Sequence, residues 1–218
     1  MSSPVSESVG SGSRETICRE AVVPGHVAVI MEGNGRWARG QGKSRSEGHR
    51  AGKENIRQVI EAFTEQGVNC LTLFAFSTEN WDRPDDEVRG LISILSEVIR
   101  SEVEELHSRG VRIRHLGRLD RLAPELQDAV RDSVRLTSGN TGMILSVAFD
   151  YGGRAEILGA VRRIIADRHS PKDITEELFR RYLDTDEIPD PDLIIRTAGE
   201  MRLSNFLLWQ SAYAEYYT

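Results

Sequence analysis

Short apolar runs that stop abruptly in polar clusters are what most constrain the fold of this chain. Val27–Met31, Cys70–Phe76 (CLTLFAF), Val111–Leu116, Met143–Phe149 and Asp192–Thr197 (DLIIRT) are each about a strand long and largely apolar. Such runs suit strands buried on both faces. Segments with helical spacing stand between them. Ser46–Gln66 puts Ile56, Val59, Ile60 and Phe63 on one face and closes at Gly67. Pro84–Arg109 repeats Val88, Leu91, Ile92, Leu95, Ile99, Val103 and Leu106, with Pro84 suited to a first turn. Pro124–Leu136, Arg154–Asp167 and a short Thr175–Tyr182 segment, capped by Thr175, complete the series. The alternation predicts an α/β layered fold, with a mainly parallel central sheet flanked by helices.

A chain of 218 residues suits a single domain. Met1 to about Glu20, rich in Ser, Gly and Glu, reads as a mobile leader, with the domain spanning 21–218. The net charge of −6 argues against nucleic-acid binding by bulk electrostatics. Cys18 and Cys70 have no metal-ligand spacing and read as reduced thiols. No apolar run approaches a membrane span, and the start of the chain lacks a basic-then-apolar signal pattern, so a cytoplasmic setting is expected.

In parallel sheets, chemistry collects beyond the carboxyl ends of the strands. The polar clusters of this chain fall there: EGNGR after the first strand, STENWDR after the second, DYGGR after Phe149, and RTAGEMRLSN at the last. In the first, Gly33-Asn34-Gly35 reads as a flexible loop whose N–H groups can turn toward an anion. Arg36 can grip phosphate oxygens with two N–H groups, and Glu32 can hold a hard cation such as Mg2+. Asp85-Asp86-Glu87 reads only as the acidic start of a helix. His107, His115 and His169 read as surface residues, and Trp37 and Trp209 as packing.

These blocks, HVAVIMEGNGRWA, LTLFAFSTENWDRP, YGGR and DLIIRTAGEMRLSNFLLWQSAYAEYY, resemble in order those of the cis-prenyltransferases, the undecaprenyl diphosphate synthase family, from about Pro24 to Tyr217. The resemblance implies a Mg2+-dependent prenyltransferase, acting as a homodimer, that joins two prenyl diphosphates. Carried over by position, Gly33, Asn34, Gly35, Arg36, Arg45 and His49 would hold the allylic donor's diphosphate. Arg196, Arg202 and Ser204 would hold the acceptor's, and Glu32 and Glu215 would be Mg2+ ligands. Ser77, Asn80, Trp81 and Arg83 would lie near the reacting carbons, with Trp37 and Phe76 also at the substrate. Glu32, His49, Ser77 and Asn80 are the candidate catalytic residues, His49 because imidazole titrates near neutrality.

Three departures from the family pattern bear on the reaction. Glu32 stands where Asp is usual, one methylene further out, and is read either as a metal ligand or as a displaced base. Phe149 and Asp150 replace small residues and Asn, so the Phe149 ring is expected to shorten the product tunnel if it points inward. The chain ends at Thr218, where family members carry an Arg- and Gly-rich tail that serves the partner's site. Together these favour the subgroup that couples two dimethylallyl diphosphates head-to-middle, giving lavandulyl- or cyclolavandulyl-type C10 diphosphates. The alternatives are regular elongation with isopentenyl diphosphate and a non-catalytic subunit; the intact GNGR block argues against the latter.

Overall fold

A computed structural model of the chain describes residues 22–218. The leader expected over 1–20, Cys18 included, lies outside the described residues. Six parallel strands form one sheet in the order β3-β4-β2-β1-β5-β6. They are β1 (His26–Ile30), β2 (Cys70–Ser77), β3 (Arg112–Leu116), β4 (Ile144–Tyr151), β5 (Leu193–Arg196) and β6 (Glu215–Tyr217). The helices are α1 (Asn34–Gly40), α2 (Arg45–Glu65), α3 (Asp85–Ser108), α4 (Pro124–Thr137), α5 (Gly153–Ala166) and α6 (Glu176–Arg180).

Alternation along each strand feeds two cores. Val27, Val29, Leu71, Leu73 and Leu145 pack against Ile56, Val59, Ile60 and Phe63 of α2 and Leu106 of α3. Ala28, Ile30, Phe74, Ala148 and Ile194 meet Phe206 and Leu207 on the other face. A third cluster joins Phe76 and Phe149 to Val88, Leu91, Ile92 and Leu95 of α3 and to Trp81. The expected elements appear within a few residues of their predicted ends. The differences are informative: α1 and β6 were not foreseen, and β4 runs two residues further, to Tyr151.

Helix α2 starts at a complete capping box, in which Ser44 accepts from the N–H of Glu47 while Glu47 accepts from that of Ser44. It passes so close to α1 that a Cβ on Gly48 would lie 2.3 Å from the Asn34 carbonyl oxygen. Only glycine allows that approach. Leaving β1, the chain turns toward β2; leaving β5, it ends in β6 on the opposite side. The gap between these two diverging exits is where an open α/β sheet binds ligands.

Candidate active site

Glu32, just past β1, reaches that gap. Its backbone N–H donates to Thr197 Oγ1 at 2.7 Å, and Thr197 Oγ1 donates back to the Glu32 carbonyl at 2.6 Å. The carboxylate of Glu32 pairs with Arg196 Nη2 at 2.7 Å. The exits of β1 and β5 are thus tied together at the rim.

Gly33 does not open a flexible loop. It is the N-cap of α1, at φ 98°, and a Cβ there would sit 2.9 Å from the Cβ of Ala198. Asn34, Gly35 and Arg36 form the first turn of that helix, where N–H groups lack intrahelical partners. Trp37 lies on the same helix with its ring half-exposed and Lys43 Nζ 5.1 Å from its centre.

The cations gather on two carboxylates. Glu200 gathers the first cluster. Its carboxylate takes Arg36 Nη2 at 3.3 Å and Arg196 Nη2 at 3.3 Å, and it also pairs with Arg202. Arg36 therefore sits with the acceptor residues rather than with Arg45. Arg196 is only 3% exposed; it donates to Ser204 Oγ at 2.8 Å and to the Arg202 carbonyl. Arg36 donates to the Ala198 carbonyl at 3.1 Å. The loop holding these groups is strained: Ala198, Ser204, Asn205 and Leu207 all have positive φ. Such conformations cost about 1–3 kcal/mol each and cluster at functional sites.

Glu87 gathers the second cluster. Arg83 Nη1 lies 2.6 Å and Arg45 Nη1 2.9 Å from its carboxylate, with His49 Nε2 at 3.9 Å. The acidic start of α3 thus supplies the anion that assembles three residues from α2 and the β2–α3 turn. Burial lowers the pKa of His49 below its ordinary value, an effect that Glu87 partly opposes. Its buried Nε2 has no hydrogen-bond partner.

Ser77 and Asn80 cap the turn after β2, with the Ser77 N–H donating to Asn80 Oδ1 at 3.1 Å. Two register shifts between Phe74 and Ser77 set Phe76 opposite Phe149 on β4, and the two rings stack with centres 4.8 Å apart. Such bulges re-aim side chains beside active sites. Trp81 packs edge-on against Phe76 at 5.2 Å.

Behind the cations a cleft of about 1510 Å³ descends between α2, α3 and the sheet. Glu32, the GNGR segment, Arg45, His49, Phe76, Ser77, Asn80, Arg83, Arg202 and Ser204 line its mouth. Leu73, Leu91, Leu95, Val98, Leu145 and Val147 line its walls, and Arg57, Glu61, Glu102, Glu105 and Arg109 its lower part. Phe149 does line this cleft, but the space continues past it to Leu145 and Val111. The expected shortening of the pocket by Phe149 is not found: stacking on Phe76 draws the ring toward the α3 wall cluster.

Glu215 does not join Glu32 in this chain. It pairs in register with Leu193, which itself faces Val27, five residues before Glu32. At ~3.3 Å per residue their backbone positions are offset by roughly 16 Å along the strands. His107, His115 and His169 are half-buried rather than superficial, each with a polar partner: Asn140, the Phe149 carbonyl and the Tyr182 hydroxyl. Sequence reasoning missed Glu87 and Glu200. A partial signal was position: Glu87 lies four residues from Arg83, and Glu200 lies between Arg196 and Arg202, while Arg45 and Arg36 come from distant segments. Asp150 is buried at φ 49° with both carboxylate oxygens lacking hydrogen bonds, 3.8 Å from Arg121 Nε.

The comparisons agree with this geometry. Residues 30–218 match the family described as "Putative undecaprenyl diphosphate synthase". The isoprenyl transferase of Clostridium perfringens is 47% identical, over 94% of this chain and 83% of its own length. Lavandulyl diphosphate synthase from Lavandula x intermedia, solved with dimethylallyl diphosphate, superposes with a TM-score of 0.86 at 38% identity, covering 89% of this chain and 86% of that one. A probable undecaprenyl diphosphate synthase from Campylobacter jejuni gives 0.74 at 33% identity, covering 88% and 84%. Cation-lined strand exits above a deep apolar cleft, and sequence identity spread over nearly the whole chain, place this protein in the undecaprenyl diphosphate synthase family of prenyltransferases.

Proposed function

We propose that this chain is a cis-prenyl diphosphate synthase that elongates an allylic diphosphate with isopentenyl diphosphate units. The observation that carries the reading is the volume of the cleft, about 1510 Å³. Pockets for small ligands span roughly 300–1,000 Å³. The apolar stretch of that space, lined by Leu73, Leu91, Leu95, Val98, Leu145 and Val147 beyond the cationic mouth, is where a growing polyprenyl chain would lie.

In this reading the Glu200 cluster, Arg36 included, holds one diphosphate and the Glu87 cluster the other. The donor's C1–O bond breaks as C1 joins the acceptor's terminal carbon, and the acceptor's C2 then loses a proton. Charge growing on the leaving diphosphate meets guanidiniums already in place. Magnesium fits the mouth through Glu32, which would hold it. Among the described residues no group of three or more His, Cys, Asp or Glu could hold an ion alone. One carboxylate suits an ion carried chiefly by phosphate oxygens, and the ion supplies charge neutralisation there. A homodimer belongs to the same reading.

Head-to-middle coupling of two dimethylallyl diphosphates is the second reading. Glu32 favours it, as a longer acid beside the acceptor arginine, as does the likeness to lavandulyl diphosphate synthase. Mass spectrometry of dephosphorylated products separates the two. Products longer than C10 that require isopentenyl diphosphate support elongation. A C10 product from dimethylallyl diphosphate alone supports coupling and overturns elongation. Mg2+-dependent turnover by the isolated chain excludes a non-catalytic subunit.

A further inference from the structure

We propose that Glu79, on the turn after β2, is a positioning residue for the diphosphate of the Glu200 cluster, which it serves through Asn205; this rests on the reading above, with that diphosphate the acceptor's. Glu79 lies in the turn Thr78–Asp82, between Ser77 and Arg83, among residues of the other headgroup site. Its carboxylate nevertheless reaches the loop after β5. Oε1 accepts from Asn205 Nδ2 at 2.7 Å, while Oε2 accepts from the Thr78 hydroxyl at 3.2 Å. Both Glu79 and Asn205 line the cleft. Among the described residues, no other hydrogen bond or ion pair joins this turn to that loop.

Three strand exits meet at Asn205. Its Oδ1 accepts from the Arg154 N–H at 2.9 Å, and its carbonyl from the Gly153 N–H at 2.7 Å, both at the start of α5. A Cβ on Gly152 would lie 2.6 Å from Thr78 Oγ1 and 2.8 Å from Asn205 Nδ2, so the junction closes around that glycine. Ser204, the preceding residue, accepts from Arg196. The two ends of the Glu79–Asn205 bond are not equally secure. The turn has its own cap, from the Ser77 N–H to Asn80. The loop runs through positive φ at Ser204 (49°), Asn205 (65°) and Leu207 (42°). Backbone of this kind persists only where its surroundings over-determine it. A lost anchor is therefore felt on the loop, at Ser204 and Arg202, rather than on the turn. The assignment is crossed: a residue of the donor-side turn governs the affinity of the acceptor.

The test removes the bond and then rebuilds it. Glu79→Ala deletes the carboxylate, and Glu79→Gln keeps an accepting oxygen. Asn205→Asp sets two carboxylates against each other while still accepting from Arg154. Glu79→Gln combined with Asn205→Asp restores the bond with donor and acceptor exchanged. In steady-state kinetics with each substrate varied in turn, Glu79→Ala should raise KM for isopentenyl diphosphate about five- to tenfold. KM for the allylic diphosphate should not change. Asn205→Asp should lose at least as much, while Glu79→Gln and the double variant should stand within about twofold of the parent. A rise in both KM values, no rise for isopentenyl diphosphate in Glu79→Ala, or a double variant no better than Asn205→Asp would overturn the assignment. Calorimetric titration with inorganic diphosphate tests the same contact without turnover. Arg202→Ala identifies the Glu200 site as the one it weakens; Glu79→Ala should weaken that site and leave any other as it is. If the parent makes no elongated product, the elongation reading fails, while the titration still decides the role of Glu79. Unchanged affinity at the Glu200 site, or no site sensitive to Arg202→Ala, overturns it.

Discussion

Around Glu200, guanidiniums are fixed by backbone as well as by carboxylate. Around Glu87, they meet through a single side chain. Arg196 is 3% exposed and bound to Glu32, Glu200, Ser204 and the Arg202 carbonyl, within a loop of strained backbone. Arg45 is 58% exposed and Arg83 35%, and both reach Glu87 from helical or turn positions. The first cluster is fixed at Arg196, while its Arg36 and Arg202 are 51% and 61% exposed. The other is assembled by a carboxylate that an incoming diphosphate can outcompete. The difference suits a reaction in which one headgroup must be held in a set orientation while the other is released.

Arg196→Ala attacks the fixed side of this comparison and should have the largest effect. Arg196 is a buried, paired guanidinium, and truncating one partner of such a pair costs roughly 2–5 kcal/mol, so we expect about a 10²-fold or larger loss in kcat/KM, chiefly as a raised KM for the acceptor. Arg196→Lys should not restore it, because one ammonium cannot replace two parallel guanidinium bonds. Arg45→Ala attacks the assembled side. Here we expect about a tenfold rise in KM for the allylic diphosphate, or ~1.4 kcal/mol. Its thermal midpoint should move by no more than about 2–4 °C, since exposed pairs contribute ~1 kcal/mol or less. Equal losses from the two variants would break the comparison.

Glu32→Asp should come next, with a several-fold change in acceptor KM. It shortens the carboxylate that lies 2.7 Å from Arg196 without removing its charge. An increase in products longer than C10 would identify the extra methylene as a brake on elongation. The smallest effect should be on stability against pH. Burial lowers the pKa values of His26, His49 and His115. The unfolded chain titrates these groups near ~6.5. As pH falls below that value, it takes up protons that the folded chain refuses, so stability is lost until the folded values are passed. The Glu200 cluster contains no histidine, so mild acid should act on the Glu87 side. His49→Gln should flatten the stability curve between about pH 5 and 6.5, as followed by thermal melts.

The sheet and its helices were legible because continuous apolar runs and helical spacing are local signals. The polar strand exits were legible for the same reason. Helix α1 was not: glycines at 33 and 35 suggested a loose loop, and the packing of Asn34 against Gly48 that fixes it is tertiary. Glu87 was hidden because an acidic helix start has a sufficient local explanation in the helix dipole. Glu200 was hidden among the arginines it neutralises. The course of Phe149 depended on two register shifts in a neighbouring strand, which no pattern within its own segment encodes.

Helix α2 runs unbroken for 21 residues, about 32 Å at 1.5 Å per residue, from headgroup-facing Arg45 and His49 to Arg57 and Glu61 far below. Near its top it touches α1 at Gly48, with no slack for a side chain. A single rigid element thus spans the cleft from its cationic rim to its far end, and its height at the rim is fixed by the backbone of its short neighbour.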